Sequence, residues 1–512
     1  MLLDASKLRR RFEAATLSAN AAFVRRTGLA FLACWLATAG ARADQTAPTD
    51  SPKPLDESPQ GRAPEPTTTS PTGSFQFGSY GRVGIASDLD GRVATPINVV
   101  AYGARFDEDS YAELELRRED RFKQGIESRI VATLAVEAPF FHFTGDASQW
   151  FVIRNLYAQA KYKGFVAWIG SRMYRGDDIY LLDWWPLDNK NTIGGGASYD
   201  FERTDTSIAA HVGMNRLDGT DAQGDPYQYQ VTEAPSPLGL GETGVESLDR
   251  PRLVQTLKLT QLFRNGRVFR NPRAGMKVIL YGEVQEISAG VVQDPVSQQQ
   301  VALPSDWGFM VGSQVGFWTG ERDTHLNMFI RYAHGLAAYD WLSIPQTTAN
   351  DRTTGDSQEF LFAAGGNWEK DWFGILGGAY FRYFSDGSEA PTSINRYSEG
   401  IVDVRPQLYF GNYFGLAVDA SYQARRYAYP APDSPSGSAL FASMWRFAAM
   451  PYFSPFGRGS YKRPQFRVIY ALSLPDAGYR SLYPAEDFRS QRDVEQYLGV
   501  QVEWWFNSSS YP

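Results

Sequence analysis

Only one cysteine, Cys34, and four histidines, His142, His211, His325 and His334, occur in 512 residues. Cys34 lies in an apolar run near the N-terminus, so a chain processed beyond that run carries no thiol. That excludes disulfides and cysteine-ligated metals. The histidines are scattered without metal-ligand spacing, and no nucleophile elbow or phosphate loop stands in the context its chemistry requires. Asp88-Leu-Asp90-Gly91 lacks the spacing of a calcium loop and reads as a solvated turn. Long apolar runs are missing too: none beyond residue 43 reaches the roughly 20 residues of a membrane helix. Positive charge is in short supply, with 50 Lys and Arg against 57 Asp and Glu and a net charge of -7. Loss of residues 1–43 would remove seven basic and two acidic residues and leave -12, which argues against a nucleic-acid partner. These absences call for no cofactor and no metal, and they point away from an enzyme.

What is present is aromatic and glycine-rich: 14% aromatic residues, with 28 Tyr and 13 Trp, beside 47 Gly. Aromatics without long apolar runs suit strands that face lipid on one side only. At the N-terminus, Arg25-Arg26 precedes the apolar stretch 27–40, and Ala41-Arg42-Ala43 supplies a small-x-small cleavage site. Residues 1–43 therefore read as an export signal, with translation starting near Val24 as an alternative. Residues 44–73, rich in Pro, Thr, Ser and Asp, read as a flexible or extended tether.

From Ser74 to Phe506 short alternating segments recur. Phe75, Phe77, Val83 and Ile85 share one parity while Gln76, Tyr80 and Arg82 share the other. In 111–117, Leu114 and Leu116 oppose Glu113, Glu115 and Arg117; in 497–506, Leu498, Val500, Val502, Trp504 and Phe506 oppose Gln501, Glu503 and Trp505. A period of two is a strand signal. Gly411-Asn412 marks a tight hairpin, whereas 217–248, 293–305 and 340–356 read as long polar connections. One set of short turns and one set of long loops is the asymmetry of an outer-membrane β-barrel. Residues 74–506 accommodate roughly 16 to 20 strands at about 22 to 27 residues per strand with its loops, enough to enclose a water-filled channel. The fold class is thus all-β, a transmembrane antiparallel barrel over 74–506 with a short extension at 507–512.

Several stretches resemble the maltoporin family of sugar-specific porins. Phe77-Gly-Ser-Tyr80-Gly-Arg82-Val-Gly84 resembles its first strand, and Arg105 followed by Ser110-Tyr111-Ala-Glu113-Leu its second. Trp168-Ile-Gly-Ser-Arg172-Met-Tyr174 and Asp178-Ile-Tyr-Leu-Leu-Asp183-Trp-Trp185 resemble the strand and inward loop that narrow its channel, and Gly194-Gly-Gly196 follows. Arg463-Pro-Gln-Phe-Arg467-Val-Ile-Tyr470 and Gly499-Val-Gln-Val-Glu-Trp504-Trp505 match its end.

The resemblance implies an 18-stranded barrel with an inward-folded constriction loop, a homotrimer held in outer-membrane lipid, and sugars as the transported solute. It implies an aromatic slide at Tyr80, Tyr111 and Trp505, facing a charged track of Arg82, Arg105, Glu113, Arg154, Asp178 and Asp183. The parity of Arg154 matches Leu156 and Ala158, so it faces the lumen only from outside the regular strand. At the constriction, Arg175 stands before Gly176, which occupies the position of an expected arginine. Trp185 replaces a tyrosine, making the waist narrower or more apolar. Trp150 and Tyr397 lie near further slide positions without aligning to them. The remaining alternatives are a general porin, an outer-membrane enzyme or adhesin, and a periplasmic β-rich sugar-binding protein. The tether at 44–73 is a candidate for periplasmic or cell-wall contact.

Overall fold

The computed structural model describes residues 72–508, apart from position 95 and the stretches 138–151, 216–227, 236–241, 250–251, 265–270, 294–299, 321–323, 340–343, 346–352, 387–395 and 431–436. The export signal, nearly all of the tether, His142, Trp150 and residues 509–512 lie outside the described residues.

Eighteen strands form one sheet: β1 (Thr72–Ser87), β2 (Tyr111–Arg121), β3 (Ile126–Glu137), β4 (Val152–Tyr162), β5 (Phe165–Arg175), β6 (Asn189–Phe201), β7 (Thr206–Asn215), β8 (Arg252–Phe263) and β9 (Gly275–Ile287), then β10 (Asp306–Trp318), β11 (His325–Gly335), β12 (Gln358–Glu369), β13 (Phe373–Ser385), β14 (Tyr397–Phe410), β15 (Phe414–Pro430), β16 (Ala439–Phe453), β17 (Gln465–Pro475) and β18 (Glu495–Phe506). Each strand pairs antiparallel with its sequence neighbour. β1 pairs with β18 from Ser79↔Phe506 to Ser87↔Leu498, which closes the barrel and leaves no free edge.

Alternation decides which side each residue takes. On β1, Phe75 and Ile85 are exposed while Tyr80 is fully buried; on β18, Leu498, Val500 and Phe506 are exposed while Gln501 and Glu503 are buried. The outer face is therefore apolar and the inner face polar. Exposed rings gather at strand ends, such as Phe410, Phe414 and Phe466, as the lipid–water boundary favours. The turn between β14 and β15 takes three residues, Gly411 to Tyr413, with Gly411 at a φ of 67° that glycine adopts without strain.

Connections at one end of the barrel run from two to eleven residues and those at the other from eight to thirty-six. Some of the long polar connections carry their own strands: Gln228–Pro235 pairs with Glu242–Asp249, and Gly290–Gln293 with Gln300–Leu303. The connection after β17 holds two helical turns, Ala477–Arg480 and Phe488–Gln491. The long connections 88–110 and 176–188 turn into the barrel, where Val100, Phe106, Ile179, Leu181 and Trp184 share one apolar cluster with wall residues. Inward folding of 176–188 agrees with the family resemblance; that of 88–110 has no counterpart in the sequence reading. At the other terminus, Asn507 turns back with a φ of 48° and its amide donates to the Phe77 carbonyl at 3.4 Å.

Candidate functional site: the loop-filled lumen

Glycines prepare the seat of the constriction loop. Gly365 on β12 and Gly378 on β13 face each other across the sheet, and a Cβ at either would lie 2.9 Å from Ile179. At Gly312 on β10 an added Cβ would meet Leu187. The loop thus docks its apolar pegs onto a stretch of wall without side chains. Its two arms close where the Gly176 amide donates to the Asp188 carbonyl at 2.8 Å, and a Cβ at 176 would press on Asp188 at 3.1 Å. Glycine at 176, where the resemblance expects arginine, therefore permits this closure. Lys258 to Asp188 at 2.8 Å, Lys277 to Asp177 at 2.6 Å and Arg331 to the Pro186 carbonyl at 2.6 Å tie the loop to the wall.

The first long connection meets the second. The Arg105 amide donates to the Leu181 carbonyl at 2.8 Å, and Tyr102 stacks on Trp184 with ring centroids 4.3 Å apart. From there the connection reaches the wall. The Val99 amide donates to Gln423 at 2.7 Å, the Ala101 amide to Glu399 at 3.1 Å, and Asp107 pairs with Arg446.

Where the two connections touch, charges converge on Glu503. Its carboxylate accepts from Arg105 at 3.1 Å, Arg463 at 2.8 Å, Tyr180 at 3.2 Å and also Arg467. Arg105 further pairs with Glu108 at 2.5 Å and Asp183 at 3.4 Å, and Arg82 reaches Glu108 at 3.6 Å and Asp183 at 3.8 Å. Every buried charge in this hub has an opposite partner, the condition under which buried ions persist. Asp183 sits in the left-handed region at φ 46°, tolerated by aspartate, which points the turn at Arg105. Burial alone would raise the Asp183 carboxyl, but Arg105, Arg82 and Arg175 hold it below its usual value. Burial, reinforced by Asp183, pushes Asp178 up to about 6.

Aromatic rings line the same region. Trp505 is half-buried with Arg463 over its ring at 4.4 Å, and Tyr180 packs edge-on against Trp505 and Tyr461. Tyr111 carries Arg82 at 5.5 Å and Arg154 at 5.3 Å and donates to Glu113. Tyr80 has no exposed surface; its hydroxyl accepts from Arg82 at 3.0 Å and from Arg105. Trp185 is buried with Arg175 over its ring at 3.6 Å.

The structure thus brings together Tyr80, Tyr111, Trp505, Arg82, Arg105, Glu113, Arg154 and Asp183, with Asp178 and Trp185 on the adjoining loop and Arg175 at the end of β5 that leads into it. Arg154 reaches Glu113 at 2.8 Å because the β3–β4 register shifts between Thr133 and Leu134, opposite it. It lies inside β4 but at a bulge, which resolves its parity. Sequence reasoning missed Tyr180, Glu108, Arg463 and Arg467 as hub members. The parity of Arg467 with Gln465 could have revealed that one.

A second charged row crosses the inner wall. Arg331 on β11, Glu359 on β12, Arg382 on β13, Glu399 on β14 and Arg425 on β15 alternate in sign, with contacts of 2.6 Å, 2.6 Å, 3.8 Å and 2.5 Å along the row. Tyr397 packs under Arg425 at 4.7 Å within it. Among the described residues no three His, Cys, Asp or Glu side chains are grouped to hold a metal. Asp88 is occupied as a turn former, accepting from the Asp90 and Arg92 amides at 2.9 Å and 3.0 Å.

No curated protein matches the chain. Solved structures that the chain resembles include the outer membrane protein OpdK from Pseudomonas aeruginosa, at 10% identity and a TM-score of 0.41, covering 85% of this chain and 98% of that one. OprD from Pseudomonas aeruginosa follows at 9%, 0.39, 85% and 93%, and Salmonella typhi OmpF in complex with daunomycin at 10%, 0.35, 84% and 97%. The family model described as LamB porin matches residues 75–506, the whole barrel but for its first three residues. The chain belongs to the LamB porin family and is an outer-membrane channel rather than an enzyme.

Proposed function

We propose that this channel carries sugars by facilitated diffusion past the junction of its two inward connections. The observation that supports it best is the pairing of rings with charges there. Trp505 and Tyr180 stand beside Arg82, Asp183, Arg463 and Glu503, with Asp183 keeping a quarter of its side chain exposed. A pyranose has apolar C–H faces and a rim of hydroxyls. Rings accept the faces, while charged groups exchange hydrogen bonds with the rim as the sugar advances. Passage requires that no one contact hold too tightly, and guanidiniums already resting on the rings compete with the solute. The protein acts in the outer membrane of a Gram-negative cell, exported by residues 1–43, as a homotrimer surrounded by lipid. The tether at 44–73 spaces it from a periplasmic or cell-wall partner.

A second reading, a diffusion channel without sugar selectivity, has one observation in its favour: Tyr80 is fully buried and Tyr111 only 9% exposed, so two of the three slide rings offer little surface to a solute. Swelling of proteoliposomes in maltose, maltotriose and sucrose separates the two. Selective transport gives faster entry than size alone allows, and Trp505→Ala removes the advantage. Entry governed by size alone supports the second reading.

A further inference from the structure

Solvent reaches the two sides of the inner wall unequally. Along β11 to β14, Arg331, Glu359, Arg382, Glu399 and Arg405 keep between 0% and 7% of their side chains exposed. The constriction loop covers this side through Ile179, which packs on Gly365 and Gly378, and the first connection covers it through the Ala101 amide on Glu399. A third connection, 454–464, enters from the end with the shorter connections. Its Ser460 amide donates to Glu369 at 3.0 Å, and its Tyr461 ring lies 5.3 Å from that of Tyr180 and 6.1 Å from that of His325. On the other side, β5 to β9, Lys190, Lys258 and Lys277 keep 13%, 20% and 22% exposed, and Arg172 and Tyr174 are half-buried. Among the described residues, the open part of the lumen therefore lies against β5 to β9.

One cation on the open side stands apart from the ion pairs. Lys190 pairs with Glu283 at 2.7 Å, Lys258 with Asp188 at 2.8 Å and Lys277 with Asp177 at 2.6 Å. Arg172, on β5 beside them, has no carboxylate in salt-bridge reach among the described residues and donates to the Gln159 side-chain oxygen at 3.2 Å. Asp200 on β6 pairs in register with Ser207, far along the strand from Thr192, the register partner of Arg172. What holds Arg172 is aromatic: its guanidinium lies 4.9 Å from the centre of the Tyr157 ring, 5.3 Å from Trp168 and 5.5 Å from Tyr174. A carboxylate partner would fix the guanidinium and cancel its field at a distance. Rings fix it and leave its charge unneutralised.

We propose that the conducting passage is off-centre, running against β5 to β9 past the junction of the inward connections, and that Arg172 is the residue that favours anions over cations within it. The inference needs the channel alone and does not depend on sugars being the solute. A unit charge about 6 Å from the path, screened by about 0.1 M salt, changes the ratio of anion to cation permeability about threefold.

The test is the reversal potential across planar bilayers holding the full chain, under a gradient of potassium chloride. The expected result is that Arg172→Gln lowers the ratio of chloride to potassium permeability about threefold, while Arg172→Lys keeps most of it. An unchanged ratio in Arg172→Gln overturns the role of Arg172. An equal loss in both variants overturns it too, by making the ring cluster rather than the charge the cause. The position of the passage is read separately, in chains carrying Cys34→Ser and one new cysteine. Ser198→Cys places it on the half-buried inner face of β6, and Gln423→Cys places it under the first connection, where the glutamine has no exposed surface. A negatively charged methanethiosulfonate reagent is expected to lower the current through Ser198→Cys and leave Gln423→Cys unaffected. Current that falls for Gln423→Cys, or holds steady for Ser198→Cys, overturns the off-centre passage. Both cysteine chains retain Arg172, so they decide the course of the passage even if an Arg172 variant fails to fold.

Discussion

Glu503 ties the interior together, because three guanidiniums and the Tyr180 hydroxyl meet on its two oxygens. Removing one partner of a buried ion network leaves uncompensated charge and costs about 3–5 kcal/mol. Glu503→Gln is therefore expected to unfold at lower temperature than the native barrel, read by the shift in heat-modifiable mobility; an unchanged transition would mean that water already screens the hub. Asp178 offers a different test at the same scale. Its carboxyl is raised to about 6, so it is ionised above that pH and neutral below it. As pH falls through about 6 the constriction loses one negative charge, and the ratio of cation to anion permeability in reversal-potential measurements should fall. Asp178→Asn should show the low-pH preference at every pH and lose the step. Much at this scale was legible beforehand: parity alone put Tyr80 with Arg82, Tyr111 with Glu113 and Trp505 with Glu503. Arg154 was not, because a bulge is a property of two paired strands and leaves no mark on the periodicity of one. Nor was the burial of Tyr80, which depends on Arg105 arriving from a connection whose path is set by the far wall.

At the scale of elements, the constriction loop is positioned by what the wall omits. Gly365 and Gly378 leave room for Ile179, and no alternation of polar and apolar residues would have announced that role. Gly378→Val places a branched side chain where Ile179 now sits, and overpacking of this kind costs about 1–3 kcal/mol. The expected consequence is a displaced loop and a larger single-channel conductance in a barrel of ordinary heat stability. A conductance equal to the native one would show that the loop keeps its seat by other contacts. The first long connection is pinned differently, by the Arg446–Asp107 pair and by amides that donate to Gln423 and Glu399. Asp107→Asn weakens that pin, and added protease should then cut within 88–110 faster than in the native protein. The strands themselves were readable from their period of two, whereas the inward course of 88–110 was not: Val99, Val100 and Phe106 look like loop residues until the wall that receives them is known.

For the whole molecule, strand closure and the inward connections have opposite effects on conduction. Eighteen strands make a lumen broad enough for water, and two connections that meet at Arg105, Leu181, Tyr102 and Trp184 fill much of it. Length and composition bounded the strand number, and the family resemblance narrowed it to eighteen. At the junction of the two connections, long-range contacts from β1, β17 and β18 converge. The most direct measurement is single-channel conductance of the purified protein in planar bilayers, with malto-oligosaccharides and sucrose titrated in. The account predicts a small unitary conductance that closes saturably with one sugar series, with the effect weakened about tenfold in Trp505→Ala, as the loss of a buried aromatic contact implies. A large conductance that no sugar reduces, identical in Trp505→Ala, would contradict it.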